Sequence, residues 1–177
     1  MNNLKKYELE KVTNKHHVAT PRNLVEDIYN FIDIKSFNSI WLPFDNFDSE
    51  FKILADELKL NYKATHIFDE DGNDFFKTTP PSNCDLLISN PPFNLQNEII
   101  ERIYKLIKNK KIKAFCLLLP LSTLETPRRS EVWEKLRDKL SIVIFKKRIK
   151  FKEKKSSFNA GCCWVLYNIK KEKIYWV

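Results

Sequence analysis

Residues 84–93, reading Cys-Asp-Leu-Leu-Ile-Ser-Asn-Pro-Pro-Phe, constrain the fold of this chain more than any other stretch. The first half is an apolar run without alternation, which suits a strand buried on both faces of a parallel sheet. Asn90 is followed by Pro91 and Pro92, which cannot donate to a sheet ladder and hold the backbone away from helix. An amide side chain is thereby fixed at the carboxyl end of a buried strand, where open α/β sheets place their ligands. Phe93 follows at the mouth of the same turn. An aromatic ring, two stiff carbonyls and an amide within four residues suit a planar group bearing an amine.

The flanking sequence alternates between helical and strand patterns. Residues 1–17 are polar and charged and are expected to form an N-terminal arm; 18–177 form the domain. Leu24, Val25, Ile28, Phe31 and Ile32 recur at helical spacing, with Thr20 as the expected cap and Pro21 at the first helical position. Residues 39–44 predict a short buried strand ended by Pro43. The acidic loop 45–49 then leads into a helix through Phe51, Ile53, Leu54 and Leu58, capped by Asp48 or Ser49. Residues 62–68 predict a second strand, and the Asp- and Gly-containing cluster at 69–74 a turn. Beyond Phe93, Leu95, Ile99, Ile100, Ile103, Leu106 and Ile107 predict a helix, and 114–121 a further buried strand. A helix over 130–140 and strands at 141–145 and 162–169 complete the pattern. Alternation of this kind predicts an α/β fold: one doubly wound, mostly parallel sheet, helices on both faces, and a C-terminal antiparallel hairpin.

At 177 residues the chain is long enough for one sizeable core, and 43% hydrophobic residues argue against disorder for most of it. Its net charge of +8 favours a polyanionic partner, nucleic acid first, although a Lys-rich surface also serves solubility. Cys84, Cys116, Cys162 and Cys163 lack metal-ligand spacing and are expected to be reduced. His16 and His17 have no acidic or Cys neighbours in sequence, so no metal is expected. No apolar segment reaches bilayer length and no signal-peptide pattern opens the chain, which predicts an intracellular, cytoplasmic protein.

The segment Asp-Leu-Leu-Ile-Ser-Asn-Pro-Pro-Phe at 85–93 resembles the catalytic motif of the S-adenosylmethionine-dependent amino-methyltransferases, the N6-adenine type above all. The resemblance extends element by element from about Val18 to Ile169 and is similar to that of small phage-type adenine methylases. It implies a Rossmann-like methyltransferase fold and S-adenosylmethionine as cofactor. By position, the Asn90 side-chain oxygen and the Pro91 carbonyl would accept the two hydrogens of the target amine, Pro92 would stiffen the turn, and Phe93 would stack on the base. Catalysis would come from orientation and electrostatics.

The cofactor pocket implied by the resemblance uses Thr20 and Pro21 before the first helix, then Pro43, Phe44 and Asp45 after the first strand. Asp45 would receive the cofactor's amino group, Asp69 or Asp71 its ribose, and Asp74 with Phe75 its adenine. The family normally has a Gly-containing loop after the first strand. Here Gly72 and Gly161 are the two glycines, and neither is at that place. A capping or turn role would also account for Thr20, Asp45 and the acids at 69–74.

Arg128, Arg129, Lys146, Lys147, Arg148 and Lys150, with Lys152, Lys154 and Lys155, form basic clusters suited to phosphate contacts. No stretch of domain size remains for target recognition, so either specificity is low, or a partner protein or the loop at 125–130 supplies it. The resemblance, together with these basic clusters, implies methyl transfer to the N6 amine of adenine, in DNA ahead of RNA. Two other readings stay open: a non-catalytic nucleic-acid- or protein-binding module on a degenerate methyltransferase fold, and a protein glutamine methyltransferase.

Overall fold

A computed structural model describes residues 19–69, 73–149 and 161–177. The N-terminal arm with His16 and His17, Asp71, and Lys150 with Lys152, Lys154 and Lys155 lie outside the described residues. Seven strands form one sheet: β1 Ile40–Leu42, β2 Tyr62–Ala64, β3 Cys84–Ser89, β4 Ile112–Pro120, β5 Leu140–Ile144, β6 Cys162–Tyr167 and β7 Ile174–Trp176. Their order is β2-β1-β3-β4-β6-β5-β7. All run parallel except β6, which lies antiparallel between β4 and β5. The expected hairpin is therefore present, with its returning strand inserted into the sheet.

Among the described residues, four α-helices cover the two faces: α1 Arg22–Ile32, α2 Glu50–Glu57, α3 Gln96–Lys108 and α4 Pro127–Leu136. Val25, Ile28, Tyr29 and Ile32 of α1 join Phe51, Leu54 and Ala55 of α2 against Leu42, Leu86, Ile88, Cys116 and Trp164 in one core. On the other face, Ile99, Ile100 and Ile103 of α3 join Val132 and Trp133 of α4 against Trp41, Leu87, Phe115, Leu117 and Val165. Successive residues of β3 and β4 thus serve opposite cores, as period-two geometry requires of a strand covered on both sides. The unbroken apolar runs have that cause.

Several boundaries differ from expectation. β2 stops at Ala64, and Thr65 turns inward to accept a hydrogen bond from Trp41 Nε1 at 3.0 Å. α4 starts three residues early, at Pro127, because Pro suits the first turn of a helix. Ser49 caps α2, accepting from the Phe51 N–H at 3.2 Å. α1 has Pro21 at its cap position and no side-chain cap, so Thr20 does not have the capping role expected of it. β7 was not expected: three residues after a lysine-rich loop carry too little pattern to be recognised.

The four cysteines are buried and in no disulfide. Burial pushes the Cys84 and Cys163 thiols up to about 12 and Cys162 to about 11. They are therefore inert thiols at neutral pH. No helix among the described residues is long and apolar enough to cross a membrane, and no group of metal-ligating side chains occurs among them.

Candidate functional site

From β1 the chain passes to β2 on one side and then to β3 on the other, so the sheet's direction of winding reverses between β1 and β3. Ligands of open α/β sheets bind outside the carboxyl ends of the strands at such a point. Two turns meet here, residues 43–48 after β1 and residues 90–93 after β3.

A buried carboxylate joins them. Asp45 Oδ2 accepts from Ser89 Oγ and Asp45 Oδ1 from Ser49 Oγ, both at 2.5 Å. Ser89 is the last residue of β3, so Asp45 ties the first turn to the residue preceding Asn90 and to the cap of α2. Asn90 is held from a third direction, since its Nδ2 donates to Thr20 Oγ1 at 3.1 Å. Thr20 is buried. Its hydroxyl serves the motif turn rather than its own helix.

Pro91 and Pro92 are buried, and the chain continues through a 3-10 turn at Phe93–Leu95 into α3. Phe93 is half-buried and packs against the core shared with α1 and α2. The turn offers a side-chain amide and stiff backbone carbonyls beside an aromatic ring, and carries no titratable group. Such an arrangement orients a hydrogen-bond donor rather than removing its proton.

On the β1 side, Pro43 is buried and Phe44 packs on Phe75 with ring centroids 4.7 Å apart. Asn46 Oδ1 is buried and has no hydrogen-bond partner among the described residues. An orphaned acceptor beside Asp45 fits the amino group of a bound cofactor. Phe75 is a core residue, 3% exposed, with Trp41, Phe44 and the Arg102 guanidinium around its ring. Asp69 Oδ2 accepts from the His66 N–H at 2.6 Å, and Asp74 Oδ1 from the Phe76 N–H at 2.9 Å. Each of these acids spends one carboxylate oxygen within its own turn.

The basic residues separate into distinct environments. Lys146, Lys147 and Arg148 are exposed, just past β5 on the same carboxyl edge as Asn90. β5 lies three strands from β3, or about 14 Å. Arg128 is exposed and paired with Glu101 at 2.6 Å and Glu98 at 3.8 Å. Arg129 is not a surface cation. Only 9% exposed, it donates to the Thr123 and Ser122 carbonyls at 2.9 Å and to Asn97 Oδ1 at 2.8 Å. It thereby ties the loop after β4 to the first turn of α3. The helical phase carried this signal, because Arg129, Val132, Trp133 and Leu136 share one face of α4.

Sequence reasoning missed Ser89, Asn46 and Asn97, and gave Ser49 a capping role alone. A serine closing a strand buried on both faces is the one signal that pointed to Ser89, since a buried hydroxyl needs a partner.

No family model and no curated protein matches the chain. Solved structures do. Over 99% of its length it is similar to the modification subunit assigned to a type I restriction enzyme of Vibrio vulnificus, with a TM-score of 0.57 and 11% identity, spanning 50% of that protein. It is likewise similar to the 23S rRNA methyltransferase ErmE, with a TM-score of 0.56 and 11% identity over 89% of this chain and 71% of the other. A human methyltransferase 10 domain containing protein gives a TM-score of 0.51 and 13% identity over 92% and 93%. The chain has the Rossmann-like methyltransferase fold. It spans about half the length of the restriction-modification subunit.

Proposed function

We propose that the chain transfers a methyl group from S-adenosylmethionine to the exocyclic N6 amine of adenine in nucleic acid. The observation that carries this reading is the Asn90–Phe93 turn at the winding reversal, clamped by Thr20 and, through Ser89, by Asp45. An exocyclic amine needs its two hydrogens engaged so that the nitrogen lone pair faces the methyl donor. Asn90 Oδ1 and the Pro91 carbonyl supply two fixed acceptors, Pro92 holds the turn, and Phe93 stacks on the base once it is out of a helix.

The cofactor supplies an electrophilic methyl sulfonium when bound. Asp45 and Asn46 receive its amino group, since the orphaned Asn46 Oδ1 is buried and needs a donor. The turn-free oxygens of Asp69 and Asp74 take its ribose and adenine hydrogens. Thr20, Pro21, Pro43, Phe44 and Phe75 wall the pocket. Lys146, Lys147 and Arg148 contact phosphates, while Arg129 acts from within by holding the loop after β4. Solved structures of the same fold include a restriction-enzyme modification subunit and an rRNA methyltransferase, which supports nucleic acid as the substrate class. DNA is favoured over RNA, with target choice supplied by a partner protein or by the loop at 125–130.

The glycine-free loop 43–48 favours a second reading, a nucleic-acid-binding module that has lost its cofactor. Calorimetric titration with S-adenosylmethionine, followed by labelled-methyl transfer to single-stranded DNA, duplex DNA and RNA, separates the two. Cofactor binding with labelled N6-methyladenine is the expected result. No binding at millimolar cofactor would leave the binding module.

A further inference from the structure

The outer edge of the sheet carries a feature that the candidate site does not use. β7 is an edge strand, and Ile174 and Trp176 point to the same side of it, 54% and 62% exposed. Beside them in register lie the half-buried Ile142 and Ile144 of β5. Tyr175, between them, faces the other way and packs edge-on against Phe31 at 5.2 Å. The result is an apolar strip with an exposed indole.

Cations close both ends of the strip. At its amino end, Arg137, Lys139, Lys171 and Lys173 outnumber Asp138 and Glu172, while Lys170 lies over the Phe31 ring on the opposite face at 4.6 Å. These loops are stitched together: Ser141 Oγ bonds to the carbonyls of Lys170 and Glu172 at 3.3 and 2.6 Å, and Asn168 N–H to the Lys139 carbonyl at 2.8 Å. Lys173 Nζ donates to the Arg137 and Asp138 carbonyls at 2.8 and 2.5 Å. At the carboxyl end stand Lys146, Lys147 and Arg148, with the Lys146 N–H bonded to the Val177 carbonyl at 2.8 Å. From Lys139 to Lys146 the chain rises about 23 Å along β5. These bonds fix the backbone of the loops from which the cations project.

We propose that this edge is a track for single-stranded nucleic acid, in which the cationic ends hold phosphates and Trp176 stacks on a base. Aromatic faces set among cations are how sequence-tolerant single-strand sites are built. A duplex keeps its base faces covered and cannot offer one to Trp176. Self-association through β7 is disfavoured by the same charges, since edge pairing of two copies in either direction sets cationic ends against cationic ends. The track deepens the proposed function by naming the strand form that the protein holds. Its test needs neither cofactor nor turnover, so each reading can fail without the other.

The four tryptophans make the test direct. Trp41, Trp133 and Trp164 are buried, at 0%, 7% and 2% exposure, so quenching by nucleic acid reports on Trp176. Titration of the full chain with a 20-mer oligothymidylate is expected to quench tryptophan emission, and the matched duplex to leave it unchanged. Trp176→Phe should abolish the quench and keep the affinity measured by anisotropy of a labelled strand. Trp176→Ala should weaken binding roughly tenfold. Each phosphate contact removed by Lys146→Gln or Lys171→Gln should lower the slope of log K against log salt by about 0.7. The proposal is overturned by unchanged emission at saturating single strand, by equal quenching with duplex, or by full affinity in Trp176→Ala. A dimer in sedimentation that Trp176→Ala dissociates would also overturn it, assigning the edge to a second copy.

Discussion

The turn after β3 and the turn after β2 lie on the same carboxyl edge, yet they are built on opposite principles. After β3, the polar side chains are spent on distant elements: Asn90 on Thr20, seventy residues away, and Ser89 on Asp45, forty-four away. After β2, Asp69 serves the N–H of His66, and a few residues on Asp74 serves that of Phe76, each bond within three residues. A turn held from several directions keeps its geometry when a ligand arrives, which is what orienting a reacting group demands. A turn held by its own acids needs only its own sequence. Position at a sheet's edge is therefore weaker evidence of chemistry than where the side chains send their bonds.

The largest effect should fall on the first turn. Asn90→Ala removes one of the two acceptors proposed for the amine and should lower kcat by about 10²- to 10³-fold. Cofactor affinity by calorimetry should stay near wild type, and loss of the hydrogen bond to the buried Thr20 hydroxyl should cost only about 1 kcal/mol in urea unfolding. Full activity in this variant would place the chemistry elsewhere. Asp45→Ala tests the clamp itself. It strips the buried Ser89 hydroxyl and the half-buried Ser49 hydroxyl of their acceptor, and a loss of about 2–3 kcal/mol in urea unfolding is expected. Ser89→Ala should cost less than Asp45→Ala, since the Ser49 bond survives.

The second turn yields a sharper contrast. Asp69→Asn keeps an oxygen for the His66 N–H, so the turn should hold, with little change in thermal midpoint. If the other oxygen binds cofactor hydroxyls, loss of the charge should weaken S-adenosylmethionine roughly tenfold by calorimetry. Unchanged affinity would make Asp69 a turn residue alone, and the two turns would then differ in function as well as construction.

Sequence patterning exposed most of this architecture because strand burial on both faces and helical phase are local properties. β3 and β4 were legible as unbroken apolar runs, and the Asn90 turn as a strand stopped by two prolines that no ladder accepts. Thr20 and Ser89 carried no such mark. Their partners lie across the fold, and a hydroxyl's partner is set by tertiary contact. Arg129 was legible in principle, since it falls in phase with Val132, Trp133 and Leu136, but its neighbour Arg128 gave the pair the look of a surface cluster. β7 is too short to show a period, and the lysines around it imitate a loop.

The smallest expected effect lies at the opposite end of β3. Asp85 Oδ1 accepts from Lys113 Nζ at 2.7 Å and Oδ2 from the Asn38 N–H at 2.9 Å. The Lys113 hydrogen bond, and then the Asn38 N–H, hold this carboxyl below the usual carboxylate range against the cost of burial. A carboxyl depressed in the folded state contributes stability above its unfolded pKa and loses it as pH falls through the folded value. The contribution should therefore be complete at about pH 6 and decline towards about pH 3. Lys113 is 65% exposed, so solvent screens the pair and added salt should shrink the effect. Urea midpoints of wild type and Asp85→Asn, measured across that range, should converge as the pH falls. Because the amide of Asp85→Asn can still accept from the Asn38 N–H, no gap at any pH would mean that Asp85 contributes through that bond alone, and that this end of β3, like the turn after β2, is held by backbone contacts rather than by charge.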